Sequence, residues 1–180
     1  MPAAALVRRA HALAVDSLAS SPRTLHALGD AILQSELGAS ARRTAVDRFQ
    51  RWIAGYREHA ELLHGYGTSA LSYSGPTPAT RWAAQLDQLD AAARTAHARA
   101  FADLGRPQRD EIVREQLSGA QAQTLTAVGR APHVALALLS HIFASADATD
   151  LCYGAHIGKQ TCRPLAGSER RPLPLAAAHR

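Results

Sequence analysis

"TPATRWAAQLDQLDAAARTAHARAFADLGRPQRDEIV", residues 77–113, decides the fold class. Thr77 and Pro78 form a helix start: a hydroxyl able to cap, then a ring whose missing N–H costs nothing in the first turn. From there Trp82, Leu86, Leu89, Ala93, His97 and Phe101 recur at helical spacing, while Asp87, Asp90 and Arg94 fall off that stripe. Gly105 closes the run. Pro107 opens another helix, with Asp110 and Glu111 expected in its first turn, where the dipole favours anions. Ile112, Val113 and Leu117 then face inward.

The same grammar holds on both sides. Ser21 and Pro22 start a helix through Leu25, Leu28, Ile32 and Leu33, with Gly38 as its stop. Ser40 opens a second, whose stripe is Val46, Phe49, Trp52 and Ile53, running on toward Leu62 and Leu63 with Gly55 as a break. A fifth spans about Pro132 to Ala146 around the apolar "VALALL" at 134–139. Trp52 and Trp82 read as core anchors; His97 reads as a core or edge residue. "HGYGTSALSYSGPTP", residues 64–78, reads as an unusually long loop, which points to function or to a partner. The expectation is an all-α protein: a compact bundle of about five helices with a long mid-chain loop and an irregular C-terminal segment. Its parts are an extension over 1–20, the bundle over 21–149, and a loop and arm over 150–180.

Composition agrees. The 180 residues suit one domain, and 47% hydrophobic against 19% charged is globular; alanine and leucine dominate the apolar share, which favours helix. The net charge is +5, carried almost wholly by arginine, since Lys159 is the only lysine. A basic helical nucleic-acid binder is therefore one alternative. No stretch approaches the ~18 apolar residues of a membrane span. Arg8-Arg9 precede "AHALAV", too short and polar for a secretory core, so no clear signal peptide is expected.

No G-x-G-x-x-G, P-loop, G-x-S-x-G or H-E-x-x-H occurs, so neither a catalytic site nor a cofactor of its own is expected in this chain. The densest chemistry lies in "DLCYGAHIGKQTCRPL", residues 150–165. Cys152, His156 and Cys162, with His141 upstream, are ligand types that suit zinc. Cys152 and Cys162 could instead close a disulfide, with Gly154 and Gly158 giving the loop room to turn, or stay as thiols, or reach a partner chain. These readings stay open. A metal-binding helical enzyme using this loop, with His64 as acid–base group, is the catalytic alternative. Asp147 and Asp150 read as cation ligands or as helix-end residues. Arg81 reads as a stacking or simply exposed side chain. "RPLAGSERRPLPL", 163–175, reads either as an extended arm of a type that lies along partner proteins or as a frayed tail.

Three stretches together resemble a known family. They are "LGDAILQSELG" (28–38), "QLDQLDAAARTAHARAFADLGRPQRDEIV" (85–113) and "ALALLSHIFASADATDLCYGAHIGKQTCRPLAG" (135–167). Leu89-Asp90, Phe101, Leu104, Gln108-Arg109-Asp110, Asp150 and Tyr153-Gly154 fall where the gluconate 2-dehydrogenase subunit 3 family has its pattern. Gln34 stands where that family commonly has proline. The resemblance implies a helical, non-catalytic small subunit of a membrane-associated sugar or alcohol dehydrogenase. It implies a partner of the FAD-dependent glucose–methanol–choline (GMC) type that holds the flavin and oxidises the substrate, and a cytochrome c subunit that can accept the electrons. It implies support of folding and of twin-arginine (Tat) export, hence a periplasmic complex, with the cytoplasm as the other placement. On this reading His64, Tyr66, Tyr73, Tyr153, His156, Lys159, Arg163 and Pro164 face the partner, and Cys152 and Cys162 keep the loop's shape or reach across.

Overall fold

The structure is a computed structural model and describes residues 21–63, 71–119 and 124–154. Among these, six α-helices build one core: α1 Pro22–Ile32, α2 Gly38–Ala54, α3 Ala79–His97, α4 Arg106–Leu117, α5 Val134–Phe143 and α6 Ala146–Tyr153. The all-α expectation holds, with one small addition. β1 Glu61–Leu63 and β2 Ser72–Tyr73 form an antiparallel pair, Glu61 opposite Tyr73 and Leu63 opposite Ser72.

The sequence of α5, VALALLSHIF, is apolar on nearly every side, and such a helix belongs inside. It is the central post: Val134, Ala135, Ala137 and Leu138 are wholly buried, and α1, α2, α3 and α6 all contact it. Trp82 from α3 and Phe49 from α2 meet beside it, ring centroids 5.4 Å apart, both fully buried; Trp52 packs against them half-buried. Gly29 sets the approach of α1 to α2. A Cβ there would lie 2.5 Å from Val46 Cγ2, so only glycine lets the two helices come this close.

Several boundaries differ from expectation. α1 ends at Ile32, and Gly38 instead opens α2 at a φ of +73°. α2 stops at Ala54 rather than running on, because Tyr56 turns away to anchor the hairpin and Leu62 joins a strand. The loop expected over 64–78 is therefore partly a hairpin arm; residues 64–70 lie outside the described residues. α3 stops at His97, with Ala98 left-handed, so Phe101 reaches the core from a separate 3₁₀ turn. Asp110 and Glu111 sit beyond the first turn of α4, where Asp110 pairs with Arg114.

The helix expected over 132–146 is two helices. Ser145 breaks it: its hydroxyl donates to Ile142 O at 2.6 Å and accepts the Ala148 N–H at 3.3 Å, ending α5 and capping α6 in one residue. Residues 150–153 are thus helical, which corrects the irregular start assigned to the 150–180 segment. No single helix among the described residues is long and apolar enough to cross a membrane. α5 and α6 taken together have the length and composition, but they meet at 68° and most of α5 is core.

Candidate functional site

The motif residues at the centre of the chain turn out to be structural. Asp90 Oδ1 accepts the Phe101 N–H at 2.9 Å, and its other oxygen accepts from Arg94 at 2.8 Å. Burial pushes the Asp90 carboxyl up, but the Arg94 hydrogen bond, the Phe101 N–H and the charges of Arg94 and Arg23 outweigh it and hold it below its ordinary range. Arg109 donates to the carbonyls of Phe101 and Ala102, at 3.2 and 2.8 Å, and Gln108 accepts the Gly105 N–H at 3.1 Å. Arg81 donates to Ala131 O at 2.8 Å rather than stacking. Asp90, Arg109 and Gln108 spend their hydrogen bonds on the α3–α4 corner, while Arg81 ties the start of α3 to the segment before α5.

The hairpin is different. Ser74 is buried, accepts the Ala60 N–H at 2.9 Å and donates to Arg57 O; Tyr56 donates to Gly75 O at 3.0 Å and packs edge-on against Trp52. Successive strand residues face opposite ways, so anchoring Ser74 turns Tyr73 outward. Tyr73 is half-exposed, and Leu62 and Leu71 are similarly bare.

The end of α6 shows the same investment. Tyr153 is 82% exposed and Leu151 partly so, and Phe143 at the end of α5 is half-exposed. Leu151 and Gly154 line a groove of about 680 Å³ whose other wall is the first half of α2, where Gly38, Ala39 and Ala41 leave room. Arg48 and Asp147, also in its lining, form an ion pair that ties α2 to α6. Asp147 therefore clips two helices, and Asp150 is buried on α6. Glu36 lines the groove beside Leu37, its carboxyl lowered by its own backbone N–H and the Ser35 hydroxyl, with Arg106 adding to this.

Beneath this groove lies His141. Its ring belongs to the aromatic cluster of Phe49 and Trp52. Cys152 is exposed on α6 and has no disulfide partner among the described residues. Among the described residues no group of three His, Cys, Asp or Glu side chains could hold a metal; His156 and Cys162 lie outside them. So do His64, Tyr66, Lys159, Arg163 and Pro164. His97 is half-buried in the last turn of α3.

Of the expected partner-facing residues, then, the structure places Tyr73 and Tyr153, both exposed. It does not bring them together. The hairpin is anchored at the C-terminal end of α2 and the groove at its N-terminal end, and 17 residues of helix separate these by about 25 Å. The groove itself escaped sequence reading. The signal that could have found α6, Ser145 followed by Asp147 in the next turn, is a second helix start inside an apolar run.

A family model described as gluconate 2-dehydrogenase subunit 3 matches residues 19–149. The chain belongs to the gluconate 2-dehydrogenase subunit 3 family. No curated protein and no solved structure matches it. The family is named for a subunit of gluconate 2-dehydrogenase, which implies partnership with that enzyme's other subunits. The matched segment contains the whole α3–α4 corner and ends within α6, just before Leu151 and Tyr153.

Proposed function

We propose that this subunit 3 homologue is a non-catalytic small subunit that binds and stabilises a FAD-dependent, GMC-type sugar or alcohol dehydrogenase subunit. On this reading the flavin and the substrate chemistry belong to the larger companion, and a cytochrome c subunit takes the electrons onward. The small subunit would assist maturation and Tat export of the pair, giving a periplasmic complex. Family membership supports the accessory role.

The observation that carries the docking reading is Tyr153. Tyr153 is 82% exposed at the end of α6, and Leu151, on the lip of a mostly apolar groove, is exposed too; this is surface that water does not reward. Tyrosines in such positions are frequent interface anchors, with a flat apolar body and a hydroxyl that stays satisfied at the rim. The hairpin, with Tyr73, Leu62 and Leu71, offers a second contact at the far end of α2. The arm beyond Gly154, with His156, Lys159, Arg163 and Pro164, would extend the α6 contact.

Co-expression with a FAD-dependent GMC-type subunit tests this. The full chain should co-purify with it. A chain ending at Gly154 keeps α6 and its cap, so it isolates the arm; the pair Leu151→Asp and Tyr153→Ala isolates the helix end. Both should lower recovery of the complex while the bundle keeps its helical signal. Undiminished recovery with both changes combined would refute the α6 contact.

A further inference from the structure

His141 stands where the aromatic core meets the groove, so its charge bears on both. Its imidazole lies edge-on to Phe49, centroids 5.6 Å apart, and tilted against Trp52 at 6.1 Å. Nδ1 is buried and has no hydrogen-bond partner. The ring also lines a small cleft with Ala45, Ser145 and Ala148. The charged groups lining that cleft are Arg48 from α2 and Asp147 from α6, already paired with each other. Leu37, Ala41, Arg48 and Asp147 line both this cleft and the larger groove, so the two share a wall.

A neutral imidazole suits these surroundings. An imidazolium does not: it would lose its hydration against aromatic faces and sit beside a guanidinium. Charging this ring in place is costly, and the cost is relieved if one of its walls moves. α6 is the yielding wall, eight residues long, held by the Ser145 cap, by buried Ala148 and Asp150, and by the Arg48–Asp147 pair.

We infer that His141 is a proton-sensitive latch for the α2–α6 surface: neutral, it lets α6 close against α2, and protonated, it loosens α6 and the groove with it. The inference rests on the docking role proposed above for α6. Burial first, and Arg48 second, hold His141 below the usual histidine range. Its share of stability is therefore complete above the unfolded value of ~6.5 and is lost as the pH falls below that. His133 must be told apart from it. That ring is also held low by burial, and its Nδ1 accepts the Ala135 N–H at the opposite end of α5.

The test uses the full chain alone. Amide hydrogen exchange is followed on α6 at pH 7.5 and 5.5, corrected for intrinsic rates, in the native chain and in His141→Phe and His141→Gln. One proton bound on opening corresponds to at most about tenfold per pH unit below ~6.5, so protection of α6 should fall several-fold in the native chain. In both variants it should change less than about twofold, and any change at the α3–α4 corner, to which His133 contributes through Gln116, should be the same in native chain and variants. The His141 ring should titrate below ~6.5 by NMR, and Arg48→Met should raise that value. An equal fall in native chain and variants, or a ring titrating at or above ~6.5, would overturn the latch. Binding of the FAD-dependent subunit is then measured at both pH values. It should weaken at pH 5.5 for the native chain and not for His141→Phe. Failure to bind at either pH would count against the docking role and leave the free-chain result to decide the latch.

Discussion

The corner between α3 and α4 and the corner between α5 and α6 are both abrupt helix-to-helix turns made by a few residues. At the first, Asp90, Arg109 and Gln108 turn inward and satisfy the backbone of the 3₁₀ turn and the helix start. At the second, Ser145 alone makes the break, His141 keeps an unpartnered nitrogen, and Phe143, Leu151 and Tyr153 face water. Side chains that resemble catalytic acids and bases can thus be pure scaffolding, while bare apolar surface is the better pointer to work done with another protein.

The largest effect expected from this contrast is at the closed corner. Asp90→Ala removes the acceptor of the Phe101 N–H and should cost about 2–3 kcal/mol in a denaturant titration. Companion binding by the molecules that stay folded should be unchanged. Next comes the open corner, where the pattern inverts. Leu151→Asp with Tyr153→Ala should leave stability within about 0.5 kcal/mol and weaken companion binding about tenfold or more, measured by titration of the purified subunits. If both corners lost stability alike, the contrast would be broken.

A smaller effect follows from His133. Its folded value is depressed by burial, so its contribution is intact above ~6.5 and lost at lower pH. Melting temperature should fall between pH 7.5 and 5.5, and His133→Gln should reduce that fall while keeping a hydrogen-bonding side chain at the cap. The smallest is Arg114→Ala. It breaks an i,i+4 pair on a mostly exposed helix face and should cost less than about 0.5 kcal/mol by the same denaturant titration.

Much of the fold was legible because its stripes are long. The α3 run from Trp82 to Ala93 and the apolar α5 carry a helical period over many residues, and each lands in the core where that period puts it. Short elements carry no such signal. β1 and β2 are three and two residues, too few to show alternation, and Ser74 becomes an anchor only once the chain folds back onto Arg57 and Ala60. The α5–α6 break leaves apolar residues on both sides of Ser145, so the run reads as one helix unless the serine is taken as a cap. Of the site, Tyr73 and Tyr153 were expected to face a partner, and the structure places both on the surface. Tyr73 is placed by contacts within the hairpin, such as Tyr56 to Gly75, whereas the place of Tyr153 and the groove opened by Gly38, Ala39 and Ala41 depend on contacts between segments about a hundred residues apart, as Arg48–Asp147 shows.

The central claim is that this chain works through a flavin-bearing companion and not through a reactive centre of its own. Co-expression of the full chain with a FAD-dependent GMC-type subunit, followed by size exclusion with flavin absorbance and dehydrogenase activity read across the profile, tests it most directly. The account predicts one co-eluting complex, with flavin retained by the larger subunit and activity lost or unstable when the small subunit is omitted. Sugar or alcohol oxidation by the isolated chain, or separate elution with a companion equally active and stable alone, would contradict it.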